Sequence, residues 1–364
     1  MLSGKEVWIV TRQDQVRHVL TSPAMSSNVK LPGYPLQFPV PDEVLQHMEL
    51  PVVAMDPPDH TVRRRALIPE LTAKRMQALR PRIQEVVDEH ISAMLAQGGP
   101  VDLVEALAIP VPSLIFCELM GVPIDETATF RAFAETTVKS DVTPEEVGAA
   151  TQAMDEYLAV LVEQKEKDAT DDLLGRIIAR NATEGTLERK DIVALARMLL
   201  FGGFDTITNM ITLGTAVLLQ HPDQLADLRR DPSLLPKAIE ELLRYLSIAD
   251  SATARVATED IEIDGVLIRA GEGIIALNGS ANRDETVFED PDTLDIRREI
   301  ALHSAFGHGI HQCPGANLVR VELEIVFRTL FSRIPELRFA VPENELEFKS
   351  FTLIHGMKSL PVTW

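Results

Sequence analysis

Cysteine is nearly absent from this sequence: 364 residues contain two, Cys117 and Cys313. They lie far apart, and no spaced set of Cys and His reads as a zinc site, so neither a disulfide framework nor a structural zinc organises the chain. Two distant thiols fit a reducing cytoplasm. Aromatic residues are also scarce, at 5%, so aliphatic side chains must fill most of the core. A surplus of positive charge is missing: 35 Lys and Arg face 55 Asp and Glu, a formal net charge of -20. That balance argues against a nucleic-acid partner, because phosphate binding needs a basic face; a local basic patch stays open. The start, Met1 to Lys5, lacks the apolar core of a signal peptide. The longest apolar stretch, Ile192 to Leu219, could span a bilayer by length, but it carries Arg197, Asp205, Thr206, Thr208 and Asn209 and lacks basic anchors at both ends. A helix through the middle of a large domain fits it better than a membrane span.

What is present reads as a globular enzyme-sized domain, with 45% apolar and 25% charged residues. Glu6 to Thr11 suits a strand and Gln13 to Leu20 a short helix. Seven prolines between Pro32 and Pro58 make Met25 to Pro58 mostly loop. Helical stripes follow, one through Ile83, Val86, Val87, Ile91 and Met94 and another through Met154, Leu158, Leu161 and Val162. Asp191 to Gln220 is a long helix ended by His221-Pro222, and Pro236 to Leu246 a further one. Asp264-Gly265, flanked by apolar runs, predicts a hairpin with a type I′ turn. Short strands are expected near Leu337 to Ala340 and Leu360 to Trp364. No repeat, low-complexity tract or linker appears, so residues 1–364 read as one mainly helical α+β domain.

The most informative segment is Phe306-Gly307-His308-Gly309-Ile310-His311-Gln312-Cys313-Pro314-Gly315. Glycines ahead of the cysteine permit a tight turn and close backbone approach to a flat object. Ala316 to Ile334 is helically periodic, which puts Cys313 at an N-cap and Pro314 at the favoured first helical position. A helix N-terminus favours thiolate over thiol, and thiolate is what haem iron takes from a cysteine. The plainer alternative is a buried structural cysteine beside a glycine turn.

Three other segments are ambiguous alone. Glu241 and Arg244 are neighbours at i, i+3 on a helix, like many solvated surface pairs. Gly202 and Gly203 each cost about 1 kcal/mol against alanine inside a helix, which suggests a place where the helix opens or meets a ligand, with Asp205 and Thr206 just beyond. Packing glycines and a satisfied buried acid would explain the same residues. His60 and Arg255 could be ordinary surface groups.

The ten-residue string is similar to the haem-binding signature of the cytochromes P-450, with Phe306, Gly309, Cys313 and Gly315 at its four defining places. The resemblance runs from Trp8 to Trp364 and is nearest to soluble bacterial, especially actinobacterial, members. It implies a helix-rich triangular prism with small β-sheets, with heme b between the long central helix and the helix after Cys313. It also implies Cys313 as axial ligand, Phe306 packed on the sulfur side, and His311, His60, Arg64 and Arg255 as propionate contacts. Glu241, Arg244 and Arg298 would form a buried structural set locking the cysteine loop, Arg297 being the competing third member. Asp205 and Thr206 would serve dioxygen activation, the alcohol as a hydrogen-bond partner and the acid as proton carrier.

The sequence departs from the family at Pro314, where leucine is commoner; lacking an N–H, it removes one potential bond to sulfur. The iron potential is then expected to be lower, and a redox titration of Pro314→Leu checks this. The family's leading segment, with a helix and first strand, is expected to be missing before Trp8.

The implied activity is that of a cytoplasmic monooxygenase acting on an apolar organic substrate by hydroxylation or epoxidation. No flavin or nicotinamide fingerprint is present, so electrons would come from a ferredoxin and ferredoxin reductase. Arg63, Arg65, Lys74, Arg75 and Arg320 either form a docking patch or are scattered solvated charges. Peroxide-driven chemistry, or a haem-binding sensor without turnover, would have no use for the Asp205-Thr206 pair. Met25 to Pro58, Phe130 to Thr151 and Ser247 to Thr253 are expected to border the substrate.

Overall fold

The computed structural model describes residues 6–36, 40–47, 49–123, 126–129, 132, 143–299, 302–350 and 353–364. The chain divides into two units, one of Met1–Arg64, Leu243–Leu294 and Ile300–Cys313, the other of Arg65–Leu242, Asp295–Glu299 and Pro314–Trp364.

The first unit is built on a four-stranded sheet. Trp8–Val10 runs parallel to Gly273–Ala276, which pairs antiparallel with Thr253–Ala257, and Met25–Ser26 closes the far edge. Alternation puts Val10, Met25, Ala257, Ile274 and Ala276 in a core completed by Val16, Val19 and Leu20 of the helix Gln13–Thr21. The hairpin Ile261–Ile263 and Val266–Ile268 turns through Asp264 and Gly265 at φ of 49° and 77°, as a type I′ turn requires.

The second unit is mostly helical. Ile83, Val86, Val87, Ile91 and Met94 are all buried along Arg80–Gln97, and Leu158, Leu161 and Val162 along Pro144–Lys167. The latter helix starts on a capping box of Thr143 and Glu146. Arg189–Gln220, 32 residues or about 48 Å long, is buried on nearly every side toward its C-terminal half. Ala316–Arg333 buries Leu318, Val319, Leu323, Val326, Phe327 and Leu330. Val101–Asp102, Pro361–Thr363 and Arg338–Phe339 form a small antiparallel sheet. Among the described residues, no helix is long and apolar enough to cross a membrane.

Candidate active site

The cysteine loop closes on itself. Cys313 N–H donates to the Phe306 carbonyl at 2.8 Å and Gln312 N–H to the Gly309 carbonyl at 3.1 Å. Gly307 and Gly309 have φ of 69° and 74°, conformations that carry no penalty only for glycine. A Cβ on Gly309 would sit 2.6 Å from the Leu20 carbonyl oxygen, so its close approach is to the end of Gln13–Thr21; one on Gly307 would meet nothing within 4 Å. The following helix starts later than the periodicity suggests. Its N-cap is Gly315, at φ -82° and ψ 0°, and its first residue Ala316. Cys313 is therefore two residues ahead of the cap and Pro314 is not the first helical residue: the helical bonds begin at the Gly315 carbonyl, which accepts from Leu318 and Val319 N–H at 2.9 and 3.1 Å. The dipole falls off within the first turn, so its pull on the sulfur is weaker than an N-cap placement gives. Gly315 itself has a backbone conformation open to any residue.

Around this loop the first unit gathers basic side chains from three elements. Arg255 comes from the strand Thr253–Ala257, His60 and Arg64 from the helix Asp59–Leu67, and His311 from the loop. The His60 and His311 rings lie 4.2 Å apart. His60, fully buried, has no hydrogen-bond partner for Nε2 among the described residues. Arg255 is 5% exposed and donates to the Ala254 carbonyl at 2.7 Å. Arg64 donates to the Gln312 carbonyl and feels the Cys313 sulfur electrostatically. Burial, then the charges of Arg255, His60 and Arg64, push His311 down to about 3; burial and the Arg64 charge also lower His60. Sequence reading missed what orients His311. Ser27 Oγ lies 3.0 Å from its Nε2, and Asp56 fixes the serine by accepting from Ser27 N–H at 2.8 Å.

Glu241 and Arg244 are wholly buried rather than solvated. Arg244 donates to the carbonyls of Asn282 and Pro291, both at 2.8 Å, with the Phe288 ring 5.3 Å from its guanidinium carbon. Glu241 Oε1 accepts from Arg298 Nε at 3.2 Å and from Asp295 N–H at 2.9 Å. Arg297 instead reaches Asp227 at 2.9 Å.

In the long helix, a Cβ on Gly203 would fall 1.8 Å from the Phe116 ring, whereas Gly202 faces open space. Gly203 is thus a packing glycine, and only Gly202 keeps room for a ligand. Thr206 Oγ1 donates to the Gly202 carbonyl at 2.7 Å, so toward any further partner it offers lone pairs. Asp205 accepts from Lys349 Nζ at 2.7 Å, a partner that no local pattern announces.

A cytochrome P450 family model matches residues 138–352. Pentalenic acid synthase of Streptomyces avermitilis is 45% identical over 367 residues, covering 100% of this chain and 90% of that protein. Vitamin D3 dihydroxylase of Streptomyces griseolus is 42% identical over 364 residues, covering 100% and 89%. The crystal structure of cytochrome P450 MoxA from Nonomuraea recticatena matches with a TM-score of 0.93 at 46% identity, over 100% of this chain and 90% of that one.

The chain belongs to the cytochrome P450 family. It is a P450 of the actinobacterial type, with the helix-rich fold of that family and its monooxygenase activity. The family binds haem through a thiolate, and the residues here fit such a group. Among the described residues, His60, Arg64, Arg255 and His311 make no ion pair, and an orphaned imidazole nitrogen points to missing acceptors. Two carboxylates are the chemistry that would satisfy them. Of the regions expected to border the substrate in this P450, most of Phe130 to Thr151 and part of Met25 to Pro58 lie outside the described residues. Of the basic residues considered for docking, Arg75 lies 3.6 Å from Glu70 and Arg320 2.6 Å from Glu240, so acids of the same chain already hold them.

Proposed function

We propose that Cys313 would hold a heme b through its sulfur and that the enzyme inserts one atom of O2 into an apolar organic molecule, drawing electrons from a separate ferredoxin and ferredoxin reductase. The observation that carries this is the half-buried cluster of His60, Arg64, Arg255 and His311 beside the cysteine loop, four groups suited to carboxylates and without an ion-pair partner among the described residues. Haem held by a thiolate supplies a redox iron whose electron-rich sulfur favours O–O cleavage.

The chain's own part is to bind, orient and move protons. Arg64 and Arg255 present forked donors to propionates, with His60 and His311 completing the cradle. The positive φ of Gly307 and Gly309 shapes the loop that would present Phe306 and Cys313 to the haem. Glu241, Arg244 and Arg298 brace the segment that leads to the loop. Thr206, its proton directed at Gly202, would accept a hydrogen bond from a proton-bearing group such as water, and Asp205 would carry protons from solvent. Two well-separated thiols support a cytoplasmic setting.

Relatives named for pentalenic acid and vitamin D3 support an apolar substrate of medium to large size. Arg63, which lies 3.8 Å from Asp59, would join Arg65 and Lys74 in docking an acidic ferredoxin.

The test is a carbonyl difference spectrum of the reduced protein, followed by turnover under isotopically labelled dioxygen. A thiolate-type band that Cys313→Ser abolishes, and one labelled oxygen in the product, are expected. A band unchanged in Cys313→Ser removes the ligand assignment. Product formed with peroxide but not with dioxygen and reductant removes the monooxygenase cycle. Charge reversal at Arg63 and Arg65 is expected to slow the ferredoxin-driven rate on the order of tenfold at low salt.

A further inference from the structure

The two ring nitrogens of His311 differ in their surroundings, and a buried serine sets them apart. Ser27 is 1% exposed and follows directly on the edge strand Met25–Ser26. Its backbone is pinned by Asp56. Ser27 N–H donates to Asp56 Oδ1 at 2.8 Å, and the Ser26 hydroxyl donates to Asp56 Oδ2. Ser26 Oγ accepts in turn from Asn28 N–H at 3.0 Å. The Asp56 carbonyl accepts from His60 N–H at 3.0 Å, so one residue fixes the serine and starts the helix that carries His60.

Held in this way, Ser27 Oγ lies 3.0 Å from His311 Nε2, its one hydrogen-bond partner among the described residues. A hydroxyl can donate or accept, but the two directions are not equal here. If Nε2–H donated to Oγ, the serine's own proton would be buried with no acceptor among the described residues. A buried donor left without a partner costs more than a made bond returns. With Ser27 donating, no proton is orphaned. Nε2 is then the acceptor, and the ring proton belongs on Nδ1. Nδ1 itself makes no hydrogen bond among the described residues, so its proton is available to a further group.

We propose that Ser27 is a positioning residue that sets His311 in its Nδ1–H tautomer, so that the ring offers a carboxylate a proton and not a lone pair. In the opposite tautomer the Nδ1 lone pair would face the anion and repel it. Ser27 acts through His311 and needs no contact of its own with the haem. The inference rests on the propionate contact proposed above for His311.

The experiment uses the haem-loaded parent, Ser27→Ala, His311→Ala and the Ser27→Ala/His311→Ala double variant. Reduced carbonyl complexes, which are diamagnetic, are prepared with nitrogen-15 histidine. Nitrogen–proton correlation spectra show which ring nitrogen of His311 carries the proton, its signals being those lost in His311→Ala. Ferric–ferrous potentials of the same four proteins form a double-mutant cycle.

The parent is expected to carry the proton on Nδ1, with Nε2 hydrogen-bonded. In Ser27→Ala the Nε2 signal should move to the unbonded position or split as the proton divides between the nitrogens. The potential of Ser27→Ala should fall, because a propionate with a weaker donor leaves more negative charge near the iron and favours the ferric state. His311→Ala should fall at least as far, and the double variant should match it.

A parent with the proton on Nε2 overturns the proposal without recourse to any variant. Ser27→Ala with the parent's Nε2 signal and potential, beside a lowered His311→Ala, overturns the serine's role and leaves the propionate contact standing. An equal fall from Ser27→Ala with and without His311 also overturns it, since packing alone would act in both backgrounds. His311→Ala at the parent's potential overturns the propionate contact, and this role for Ser27 with it.

Discussion

Single residues in the cysteine loop carry separable costs. Gly307 and Gly309 share a positive φ, but only Gly309 is also crowded, its missing Cβ directed at the Leu20 carbonyl. Gly307→Ala should therefore cost about 1–2 kcal/mol, the left-handed penalty alone. Gly309→Ala should cost more, on the order of 3 kcal/mol, because backbone must also shift. Thermal unfolding of both variants checks the order, and equal losses would mean that crowding at Leu20 is relieved cheaply. The sequence made both glycines conspicuous through their spacing to Cys313. It could not distinguish their reasons, because the contact with Leu20 joins residues 289 positions apart. The same holds for Ser27 and His311 and for Asp205 and Lys349, where polar partners meet only after the chain has folded.

At the level of elements, periodicity was the reliable guide, since burial follows the 3.6-residue repeat wherever a helix has one wet face. Stripes through Ile83 to Met94 and Leu318 to Leu330 are buried as expected. Ala316–Arg333 starts later than the Pro314 preference predicts, because its first helical bonds are accepted by the Gly315 carbonyl, which leaves Cys313 and Pro314 in the loop.

The glycine pair in the long helix divides in the same manner. Gly203→Ala should destabilise by about 1–3 kcal/mol through the Phe116 ring, and Phe116→Leu should return part of that loss. Gly202→Ala should stabilise by up to about 1 kcal/mol through helix propensity. Urea unfolding of the three variants decides it, and a harmless Gly203→Ala would show that the ring yields.

Ala316–Arg333 also buries Glu322, whose two oxygens have no hydrogen-bond partner among the described residues and whose carboxyl burial pushes up to about 8. From about 4.5 to about 8 the unfolded chain is ionised while the folded one keeps its proton. The folded state then binds more protons, so stability falls as pH rises through that window. Glu322→Gln, neutral throughout, should flatten the midpoint-against-pH curve and gain a few kcal/mol near pH 8. An unchanged slope would show that Glu322 is not its source.

Over the whole molecule, a net charge of -20 hides a local excess of the opposite sign. Acids crowd the chain, yet none is paired with His60, Arg64, Arg255 or His311 among the described residues. The cluster therefore has different energetics with and without bound carboxylates. With propionates present, Arg255 is one half of a buried charge pair, and removing one half of such a pair costs about 3–5 kcal/mol. With haem removed, the same guanidinium is a buried cation whose own affinity for its proton burial has lowered, and an apolar side chain of similar length relieves that cost. Arg255→Met should accordingly lower the unfolding midpoint of the haem-loaded protein and raise that of the apo-protein, by the order of 1 kcal/mol in the latter. Purely structural packing of Arg255 would move both midpoints in one direction. Thermal unfolding of the parent and Arg255→Met, each in both states, separates the two accounts by sign alone.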